Sequence, residues 1–361
     1  MGAENAILAF NIKEELKSVK PFGNGLINKS YVALTTNNKR YLLQNLNIDL
    51  FENYEGLMNN IDLVTTYLKE KITKEGGDPD RETLTVIKTL DNKLFHKDKD
   101  GKVWRLYPFI EDTVCFSKAE STDQFYKTGL AFGHFQAQLN DFDATQLTEV
   151  LEKFHDTRFR YTQFEEAVEN DLAKRVKDVS AEIDFIKSRK EDAYLLYDML
   201  DKGDLPLRVT HNDTKLSNIL LDKDSLEGIC IVDLDTIMPG ILLFDFGDSI
   251  RSGANMAEED EKDLSKVGFN IDLFEAYTKG FLEGAKHIMT DKEIEYLAWG
   301  ARVITFEQAI RFFTDYLNGD TYYTVSHNTH NLERTRNQMK LVSDMEEMWP
   351  EILEIVQKAT R

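Results

Sequence analysis

The sequence predicts an α+β chain of two lobes, in which a small antiparallel β-sheet lobe with one helix precedes a larger, mainly helical lobe. Three observations predict this class. The chain has 361 residues, which is long enough for two lobes that share a cleft. Hairpin signals fill the first third of the chain, and from about Thr122 onward the apolar residues recur at helical spacing.

The first lobe is predicted from alternating segments joined by tight turns. An Asn37-Asn38 turn separates two such segments, and Asp100-Gly101 is a strong hairpin signal before another. Between these hairpins, apolar residues at helical spacing predict one helix at 54–72 that packs on the sheet. Strands are expected at 30–35, 40–44, 84–89, 93–96 and 103–110.

The second lobe is predicted from longer segments of helical periodicity. Helices are expected near 123–140, 164–175, 181–201, 271–285, 291–318 and 334–357. The segment 205–235 is the exception, because its short apolar runs are broken by polar residues and predict a β-rich insertion. The change in periodicity places the two lobes at 1–110 and 111–361.

The charge of the chain excludes several classes of partner. The chain carries 64 acidic and 44 basic side chains, a net charge of −20, which repels nucleic acid and anionic membrane surfaces. No apolar run is long enough to span a membrane, and no basic region leads into an apolar segment at the N-terminus. Cys115 and Cys230 are far apart and are expected to be buried, reduced thiols. The expected location is the cytoplasm.

The polar residues of 205–235 fit a predicted β-hairpin. Asn218 precedes one apolar run, and Asp233 ends the next. If the turn is centred between Ser225 and Leu226, antiparallel pairing places Asn218 opposite Asp233 at the open end of the hairpin. An amide oxygen and a carboxylate are therefore expected to meet there.

These groups match the needs of phosphoryl transfer. An amide oxygen beside a carboxylate suits Mg²⁺, which completes its octahedron with water and phosphate oxygens. Asp213 lies on the loop before Asn218, where a carboxylate can orient an acceptor hydroxyl and take its proton. Lys215 is as readily an exposed turn residue as a contact to the transferred phosphate. His211 is expected to brace the loop rather than to carry protons.

The pattern His-x-Asp-x-x-x-x-Asn, followed by a strand that ends in Asp, is matched by His211, Asp213, Asn218 and Asp233. In these residues the chain resembles the aminoglycoside phosphotransferase and choline kinase family, which has the protein-kinase-like fold. Within that family it looks most similar to the N-acetylhexosamine 1-kinases, and the resemblance runs along nearly the whole chain. The segments that carry it are HNDTKLSNILLD at 211–222, IVDLDTIMPG at 231–240, LFDFGDSIRSGA at 243–254 and RFFTDYLNGDTYY at 311–323.

The resemblance implies a kinase that uses ATP and Mg²⁺ to phosphorylate the anomeric hydroxyl of GlcNAc or GalNAc, giving the sugar 1-phosphate. It implies that Asp213 is the catalytic base and contacts the substrate, and that Asn218 and Asp233 bind magnesium. The partners would be ATP and a small amino sugar. Residues 1–110 would bind the nucleotide, and residues 111–361 would carry catalysis and the acceptor.

The resemblance also implies three sugar contacts, Thr236, Arg311 and Tyr322. Arg311 lies at helical spacing between Glu307 and Asp315, so an ordinary salt-bridge ladder explains it equally well. Tyr322 could equally be a core aromatic residue. Asp245 is expected to brace the catalytic loop rather than to touch the substrate.

The segment 22–31 is similar to the hairpin that covers the phosphates in this fold. Its two glycines let backbone N–H groups approach phosphate oxygens, although a plain turn explains them equally well, and Asn28 replaces the third glycine of the motif. Gln44 stands where the wider fold presents a lysine to the phosphates, and a neutral amide stabilises charge less. The segment 106–110 resembles the hinge that meets adenine, although an apolar strand end has the same pattern. The expected nucleotide contacts are Gly23, Asn24, Gly25, Asn28, Gln44, Tyr107 and Phe109.

Two other functions fit the same residues. The acceptor could be an aminoglycoside, choline or another amino alcohol, or homoserine, or the chain could bind nucleotide without catalysis. A cationic acceptor calls for a carboxylate-rich pocket, which Asp235 and Asp315 could supply. Gln44 in place of the lysine favours a non-catalytic module, whereas the retained catalytic motif favours a kinase.

Overall fold

The computed structural model describes residues 2–23 and 27–361 and contains the predicted antiparallel sheet followed by a mainly helical region. The strands are β1 Leu16–Pro21, β2 Lys29–Thr35, β3 Arg40–Leu46, β4 His96–Lys97, β5 Val103–Pro108, β6 Thr113–Val114, β7 Arg208–Thr210, β8 Ile219–Asp222, β9 Gly228–Ile231 and β10 Met238–Gly240. The helices are α1 Ala3–Ala6, α2 Tyr54–Glu75, α3 Thr122–Gln138, α4 Thr157–Asn170, α5 Ser180–Lys187, α6 Lys190–Lys202, α7 Leu242–Gly253, α8 Ile271–Ala285, α9 Asp291–Glu295, α10 Leu297–Asn318, α11 His330–Glu347 and α12 Trp349–Ala359.

The chain divides into two compact units. The first, called the sheet unit here, extends to Cys115 and also contains Asp141–Glu152 and Ile219–Pro239. The second, the helical unit, contains Phe116–Asn140, Lys153–Asn218 and Gly240–Arg361. The chain therefore returns to the sheet unit just after Asn218 and leaves it again after Pro239.

The main sheet of the sheet unit has the strand order β1-β2-β3-β5-β4, and each neighbouring pair is antiparallel. The predicted hairpin of β2 and β3 is confirmed, and so are the hairpin of β4 and β5 and the helix α2. Because side chains alternate between the two faces of a strand, this register fixes which residues share a face. Ser30 pairs with Gln44, and Gln44 pairs with Arg105, so these three polar side chains lie on one face.

The opposite face of this sheet is apolar. Its buried residues include Ala33, Leu43 and Leu106, which pack with Phe10 and other residues of the N-terminal segment that contains α1. Burial of this apolar surface away from water stabilises the sheet, which packs one face on a core as antiparallel sheets commonly do.

The strand prediction at 84–89 is wrong. Backbone groups of this segment bond to different partners, since Ile87 N–H donates to the carbonyl oxygen of Leu106 while Thr89 N–H donates to that of Lys93. Only an isolated bridge from Thr89 to Phe10 remains, so no continuous ladder forms. The predicted strand at 93–96 is also displaced, because β4 begins at His96.

The hairpin of β8 and β9 exists, but its predicted register is wrong by one residue. Ile219 pairs with Ile231, and a bulge follows Leu220. The cause lies in the turn, where Leu226 has a φ of 59° and its N–H donates to the carbonyl oxygen of Asp222. An irregular turn with a left-handed residue adds a bulge that sequence alternation does not reveal. Asn218 and Asp233 are therefore not a pair of this ladder.

Several predicted helices are divided or shifted. The segment 181–201 contains α5 and α6, 291–318 contains α9 and α10, and the segment near 334–357 contains α11 and α12. Pro350 explains the last division, because it lies in the first turn of α12 and has no N–H to continue a preceding helix. Helix α4 begins earlier than predicted, at Thr157, where the Asp156 side chain accepts a hydrogen bond from Phe159 N–H.

Close helix contacts in the helical unit depend on glycines. A side chain at Gly133 of α3 would overlap the carbonyl oxygen of Phe281, and one at Gly280 of α8 would overlap that of Tyr126. The backbones of α3 and α8 therefore touch directly. In α7 and α10, Gly247 approaches the carbonyl oxygen of Gly300 in the same way. These contacts set the relative positions of the helices that carry the site.

Two further sequence expectations concern the surface of the chain. No helix in the described part of the chain combines the length and apolarity needed to cross a membrane. Cys230 is buried as expected, but Cys115 is exposed, so the expectation of two buried thiols is wrong for Cys115.

We expect the substitution Gly133→Ala to destabilise the protein by about 1–3 kcal/mol, because the new methyl group overlaps backbone atoms that cannot move independently. Chemical denaturation followed by circular dichroism measures this loss. The control is Gly2→Ala, whose added methyl group would have no neighbour within 4 Å and should change stability by less than about 0.5 kcal/mol. Equal stability of the two variants would contradict the proposed helix contact.

Candidate active site

The loop after β7 is held by a buried carboxylate. Asp245 Oδ2 accepts a hydrogen bond from His211 N–H at 2.8 Å, and Asp245 Oδ1 accepts one from Asn212 N–H at 2.7 Å. Asn212 has a φ of 64°, in the left-handed region, which costs energy for residues other than glycine, although less for asparagine than for most. The two hydrogen bonds offset that cost and fix the direction in which the chain enters the loop.

Asp245 has further support inside the helical unit. Gln136 Nε2 donates to Asp245 Oδ2 at 2.6 Å, and Thr214 Oγ1 donates to the Asp245 carbonyl oxygen at 2.5 Å. Ser249 Oγ in turn donates to the Thr214 carbonyl oxygen at 2.6 Å. Burial raises the pKa of Asp245, although its N–H donors and His211 favour the carboxylate. The contacts of Thr214 connect the loop to helix α7, and the contact of Gln136 connects α7 to α3.

Asp213 and Asn218 meet within the helical unit. Asn218 Nδ2 donates to the Asp213 backbone oxygen at 2.8 Å and to Asp213 Oδ2 at 2.9 Å. Lys215 Nζ lies 2.9 Å from Asp213 Oδ2. Although burial opposes the charge of Asp213, attraction by Lys215 and the bond from Asn218 lower its pKa below the usual value. Asp213 is therefore a carboxylate at neutral pH, able to accept a proton.

His211 contacts the backbone of the same loop. Its Nδ1 accepts a hydrogen bond from Asp213 N–H at 3.2 Å, and its ring packs edge-on against Phe132 and Phe135. The side chain is fully buried. These contacts are those of a residue that shapes the loop around Asp213.

The donor atoms of the two expected magnesium ligands fit a hard cation. The amide nitrogen of Asn218 is directed at Asp213, which leaves its Oδ1 as the atom of ligand type. Asp233 is exposed, has a φ of 60°, and immediately precedes the 3₁₀ turn Leu234–Thr236. One amide oxygen and one carboxylate, completed by phosphate and water oxygens, make a usual Mg²⁺ set. Asn218 belongs to the helical unit and Asp233 to the sheet unit.

The expected nucleotide residues lie in the sheet unit. Asn28 is buried and Gln44 is half-buried, and Arg105 and Asp235 connect them: Arg105 Nε donates to Gln44 Oε1, and Asn28 Nδ2 donates to Asp235 Oδ2. Gly23 is exposed with a φ of 68°, whereas Asn24 and Gly25 lie outside the described residues. Tyr107 is buried at the end of β5, and Phe109 N–H donates to the carbonyl oxygen of Arg40.

Arg311 is connected to the loop after β7 through two buried side chains. His155 Nε2 lies 3.0 Å from the Asn212 backbone oxygen, and His155 Nδ1 lies 3.0 Å from Glu307 Oε1. Arg311 Nη1 lies 4.0 Å from the same Glu307 oxygen, and its guanidinium lies 5.1 Å from the centre of the Phe154 ring. Burial opposes the charge of Arg311, but the neighbouring Tyr323 and Glu307 raise its pKa. Arg311 is thus a fixed cation.

The loop that carries Tyr322 is organised by Asp315. Its carboxylate accepts hydrogen bonds from the backbone N–H groups of Thr321, Tyr322 and Tyr323 at 2.8–3.0 Å. Arg311 itself pairs with Glu307, which is one half of the expected salt-bridge ladder. Tyr322 is 61% exposed, so the alternative of a core aromatic residue is wrong. Thr236 is buried in the turn Leu234–Thr236 of the sheet unit.

Sequence reasoning missed several residues of these networks. His155 has no motif around it, and its role follows only from the fold, which brings it between Asn212 and Glu307. Arg105 lies in an otherwise largely apolar strand. The one available signal was that this charged residue interrupts the apolar pattern of β5, as Gln44 does in the paired strand β3. Tyr323 directly follows Tyr322, but the sequence pointed only to Tyr322. The ring centre of Tyr323 lies 5.9 Å from the Arg311 guanidinium.

Comparison with known proteins agrees with this fold. The model of the phosphotransferase enzyme family (APH) matches residues 18–277. A crystal structure of spectinomycin phosphotransferase in complex with ADP and spectinomycin is 17% identical, with a TM-score of 0.56 over 99% of this chain and 96% of that one. An aminoglycoside phosphotransferase from Alicyclobacillus acidocaldarius is 11% identical, with a TM-score of 0.64 over 99% of this chain and 96% of that one. A microcompartment-associated aminopropanol kinase is 12% identical, with a TM-score of 0.61 over 96% of this chain and 97% of that one.

The chain belongs to the phosphotransferase enzyme family, because the family model matches well over half of its length. Its fold is the protein-kinase-like fold of that family, with an antiparallel sheet lobe and a helical lobe. It is therefore a member of a family of enzymes that transfer phosphate groups.

We expect Asp245→Asn to lower both stability and turnover. An amide of the same shape offers one acceptor oxygen instead of two, so one N–H group of the loop after β7 loses its partner at a cost of about 1–3 kcal/mol. Thermal unfolding and steady-state kinetics measure the two effects. Asp272→Asn, at an exposed position of α8, is the control and should change neither. Unchanged turnover in Asp245→Asn would contradict the bracing role.

Proposed function

We propose that this protein transfers the γ-phosphate of ATP to the anomeric hydroxyl of an N-acetylhexosamine, GlcNAc or GalNAc, and releases the sugar 1-phosphate and ADP. The observation that carries the proposal is the anchored loop in which Asp213 contacts Asn218 and Lys215. Membership of a phosphotransferase family supports the reaction class. The segments that resemble N-acetylhexosamine 1-kinases support the acceptor.

Asp213 acts as the catalytic base in this proposal. Its carboxylate orients the C1 hydroxyl of the sugar and takes its proton while the hydroxyl oxygen attacks the γ-phosphorus. The bond from the γ-phosphorus to the bridging oxygen breaks, and ADP leaves. Mg²⁺, for which Asn218 and Asp233 are the proposed ligands, would neutralise charge on the phosphates. Lys215, which is paired with Asp213, would attract the transferred group.

The nucleotide would bind to residues 1–110, which we propose as the nucleotide lobe, and residues 111–361 would carry catalysis and the acceptor. The proposed nucleotide contacts in the described part are Gly23, Asn28, Gln44, Tyr107 and Phe109, and Asn24 and Gly25 complete the set. Arg40 lies over the Phe109 ring at 4.0 Å, and Phe22 meets the same ring edge-on at 5.6 Å. We propose the cytoplasm as the location, because ATP is available there.

The acids near the proposed acceptor residues favour a neutral acceptor over a cationic one. Asp315 is occupied by backbone N–H groups, and Asp235 is occupied by Arg105 and Asn28. Neither carboxylate then remains to bind an ammonium group of an aminoglycoside or amino alcohol. Arg311 and Tyr322 instead offer hydrogen-bond donors, which suit the hydroxyl and acetamide oxygens of an N-acetyl sugar. Thr236 would add a hydroxyl contact.

The test of the function is product analysis. The protein is incubated with ATP, Mg²⁺ and GlcNAc or GalNAc, and the products are followed by phosphorus NMR. A signal with the coupling of an anomeric phosphate is expected. Phosphate on C6, or phosphorylation of an amino alcohol or aminoglycoside in preference to both sugars, would refute the proposed acceptor. Unchanged ATP with every acceptor would favour a non-catalytic module.

We expect Asp213→Asn to lower kcat by about 100-fold or more, because the amide cannot take the proton of the acceptor hydroxyl. Affinity for the nucleotide should change little. The matched control is Asp263→Asn, whose carboxylate bonds only to nearby residues of an exposed segment. Wild-type turnover in Asp213→Asn would rule out its role as the base.

We expect Arg311→Met to raise KM for the sugar by about tenfold or more, the usual cost of losing one hydrogen bond from a charged group. The unbranched methionine keeps much of the packing on Phe154. Arg336→Met is the control, because Arg336 is paired with Glu182 and is not among the proposed acceptor residues. An increase in KM for ATP instead of the sugar would contradict the assignment of Arg311 to the acceptor.

A further inference from the structure

Gln44 lacks the positive charge that the wider fold places at this strand position, but a cation lies beside it. The register of the sheet pairs Gln44 of β3 with Arg105 of β5 on one side and with Ser30 of β2 on the other. All three side chains extend from the same face of the sheet. Arg105 Nε donates to Gln44 Oε1 at 2.9 Å, and Gln44 Nε2 donates to Ser30 Oγ at 3.1 Å.

The other side of the Arg105 guanidinium holds an acid. Arg105 Nη1 forms an ion pair with Asp235, and Asp235 Oδ2 accepts from Asn28 Nδ2 at 2.6 Å. Asn28 Oδ1 then accepts from the backbone N–H of Asn47 at 3.0 Å. One guanidinium thus connects strand β3, strand β5, the turn that follows Asp233 and the residue just before β2.

The environment of Arg105 preserves its charge. Its side chain is almost completely buried, and the guanidinium lies 5.4 Å from the centre of the Tyr107 ring. Burial opposes the charge, but attraction by Asp235, with a smaller contribution from Asp233, keeps the pKa of Arg105 above its usual value. A guanidinium presents several N–H donors in a fixed plane, so it can hold Gln44 and Asp235 at the same time.

We propose that Arg105 is the cation of the nucleotide site, supplied from β5 in place of a lysine on β3. This inference rests on the proposed function, because it takes Gln44 and Asp233 as the groups that face the phosphates and the metal. Arg105 is a positioning residue. It polarises and orients the Gln44 amide, whose nitrogen carries two N–H groups, so that one can serve a phosphate oxygen while the other bonds to Ser30. Through Asp235 it also fixes the turn that carries Asp233.

Removal of Arg105 alone has two separable consequences. The charge of Asp235 would be left buried without a counter-ion, which is strongly destabilising. The Gln44 amide and the turn after Asp233 would also lose their common anchor. Neutralising Asp235 as well removes the first consequence but leaves the second. The single and double variants therefore distinguish a structural ion pair from a residue that positions the nucleotide site.

The experiment measures the affinity of the full chain for ADP and Mg²⁺ by calorimetry, together with thermal unfolding and the separate KM values for ATP and sugar. For Arg105→Gln we expect an affinity loss of about tenfold or more and a lower unfolding temperature. For Arg105→Gln combined with Asp235→Asn we expect the unfolding temperature to recover and the affinity to stay low. We expect KM for ATP to rise by a similar factor in both variants and KM for the sugar to rise less, because Thr236 alone among the proposed acceptor residues lies in the turn that Asp235 holds.

A variant that moves the positive charge from one strand to the other tests whether positions 44 and 105 are equivalent. Gln44→Lys combined with Arg105→Gln moves the cation from β5 to β3 and keeps the net charge. We expect this swap to recover at least about half of the lost affinity on a logarithmic scale. Recovery should be incomplete, because the lysine ammonium is a point charge and lacks the planar fork of arginine. Arg302→Gln is the control, since Arg302 pairs with Asp192 in the helical unit and its loss should lower stability without affecting ADP affinity.

Each outcome has a defined meaning. Wild-type ADP affinity in folded Arg105→Gln or in the double variant would overturn the inference and leave Arg105 as a structural ion pair. A swap variant that binds ADP no better than Arg105→Gln would overturn the equivalence of the two positions. If wild type makes no sugar 1-phosphate and ADP affinity still depends on Arg105, the acceptor proposal fails and the inference stands. No binding of ADP by wild type would overturn both.

Discussion

The candidate site depends on one buried carboxylate that accepts two consecutive backbone N–H groups. Asp245 holds the peptide groups of His211 and Asn212, and so fixes a loop whose second residue has an unfavourable left-handed conformation. Backbone groups in such a loop cannot bond to each other as they do in a helix or a sheet, and here the Asp245 carboxylate satisfies two of them. Asp213 then emerges in a direction set by Asp245, and Asn218 and Lys215 meet it there.

The position of Asp245 depends in turn on close helix packing. Helices α7 and α10 approach through Gly247 and Gly300, where any larger side chain would separate them. Because α10 also carries Glu307 and Arg311, this contact fixes the distance between Asp245 and the proposed acceptor residue Arg311 within the helical unit. His155 closes the connection by contacting both Asn212 and Glu307. A change in the helix contact would therefore move Asp213, the proposed base, and Arg311, the proposed acceptor contact, relative to each other, which is how packing far from the chemistry can affect rate.

Local signals predicted the fold well, and non-local contacts account for what was missed. The β2–β3 hairpin and α2 follow from turn residues and apolar spacing, which act within a few residues of each other. The register of β8 and β9 was missed because a left-handed Leu226 introduces a bulge, and leucine carries no signal for that conformation. The motif of His211, Asp213 and Asn218 was recognised because its residues are close in sequence. The Arg105–Asp235 ion pair joins residues far apart in the chain, and only the folded sheet brings them together.

Neutralisation of individual acids explains how so acidic a chain could accept a polyphosphate. A net charge of −20 repels ATP at long range, and salt screens that repulsion beyond about 8–10 Å. Binding then depends on the charges within that distance. In the sheet unit Asp235 is balanced by Arg105, and in the helical unit Asp213 is balanced by Lys215. Asp233 is exposed and would be balanced by the metal that accompanies the nucleotide. Because Asp213 and Asp235 have counter-ions of their own, the net charge of the chain does not decide which anions bind.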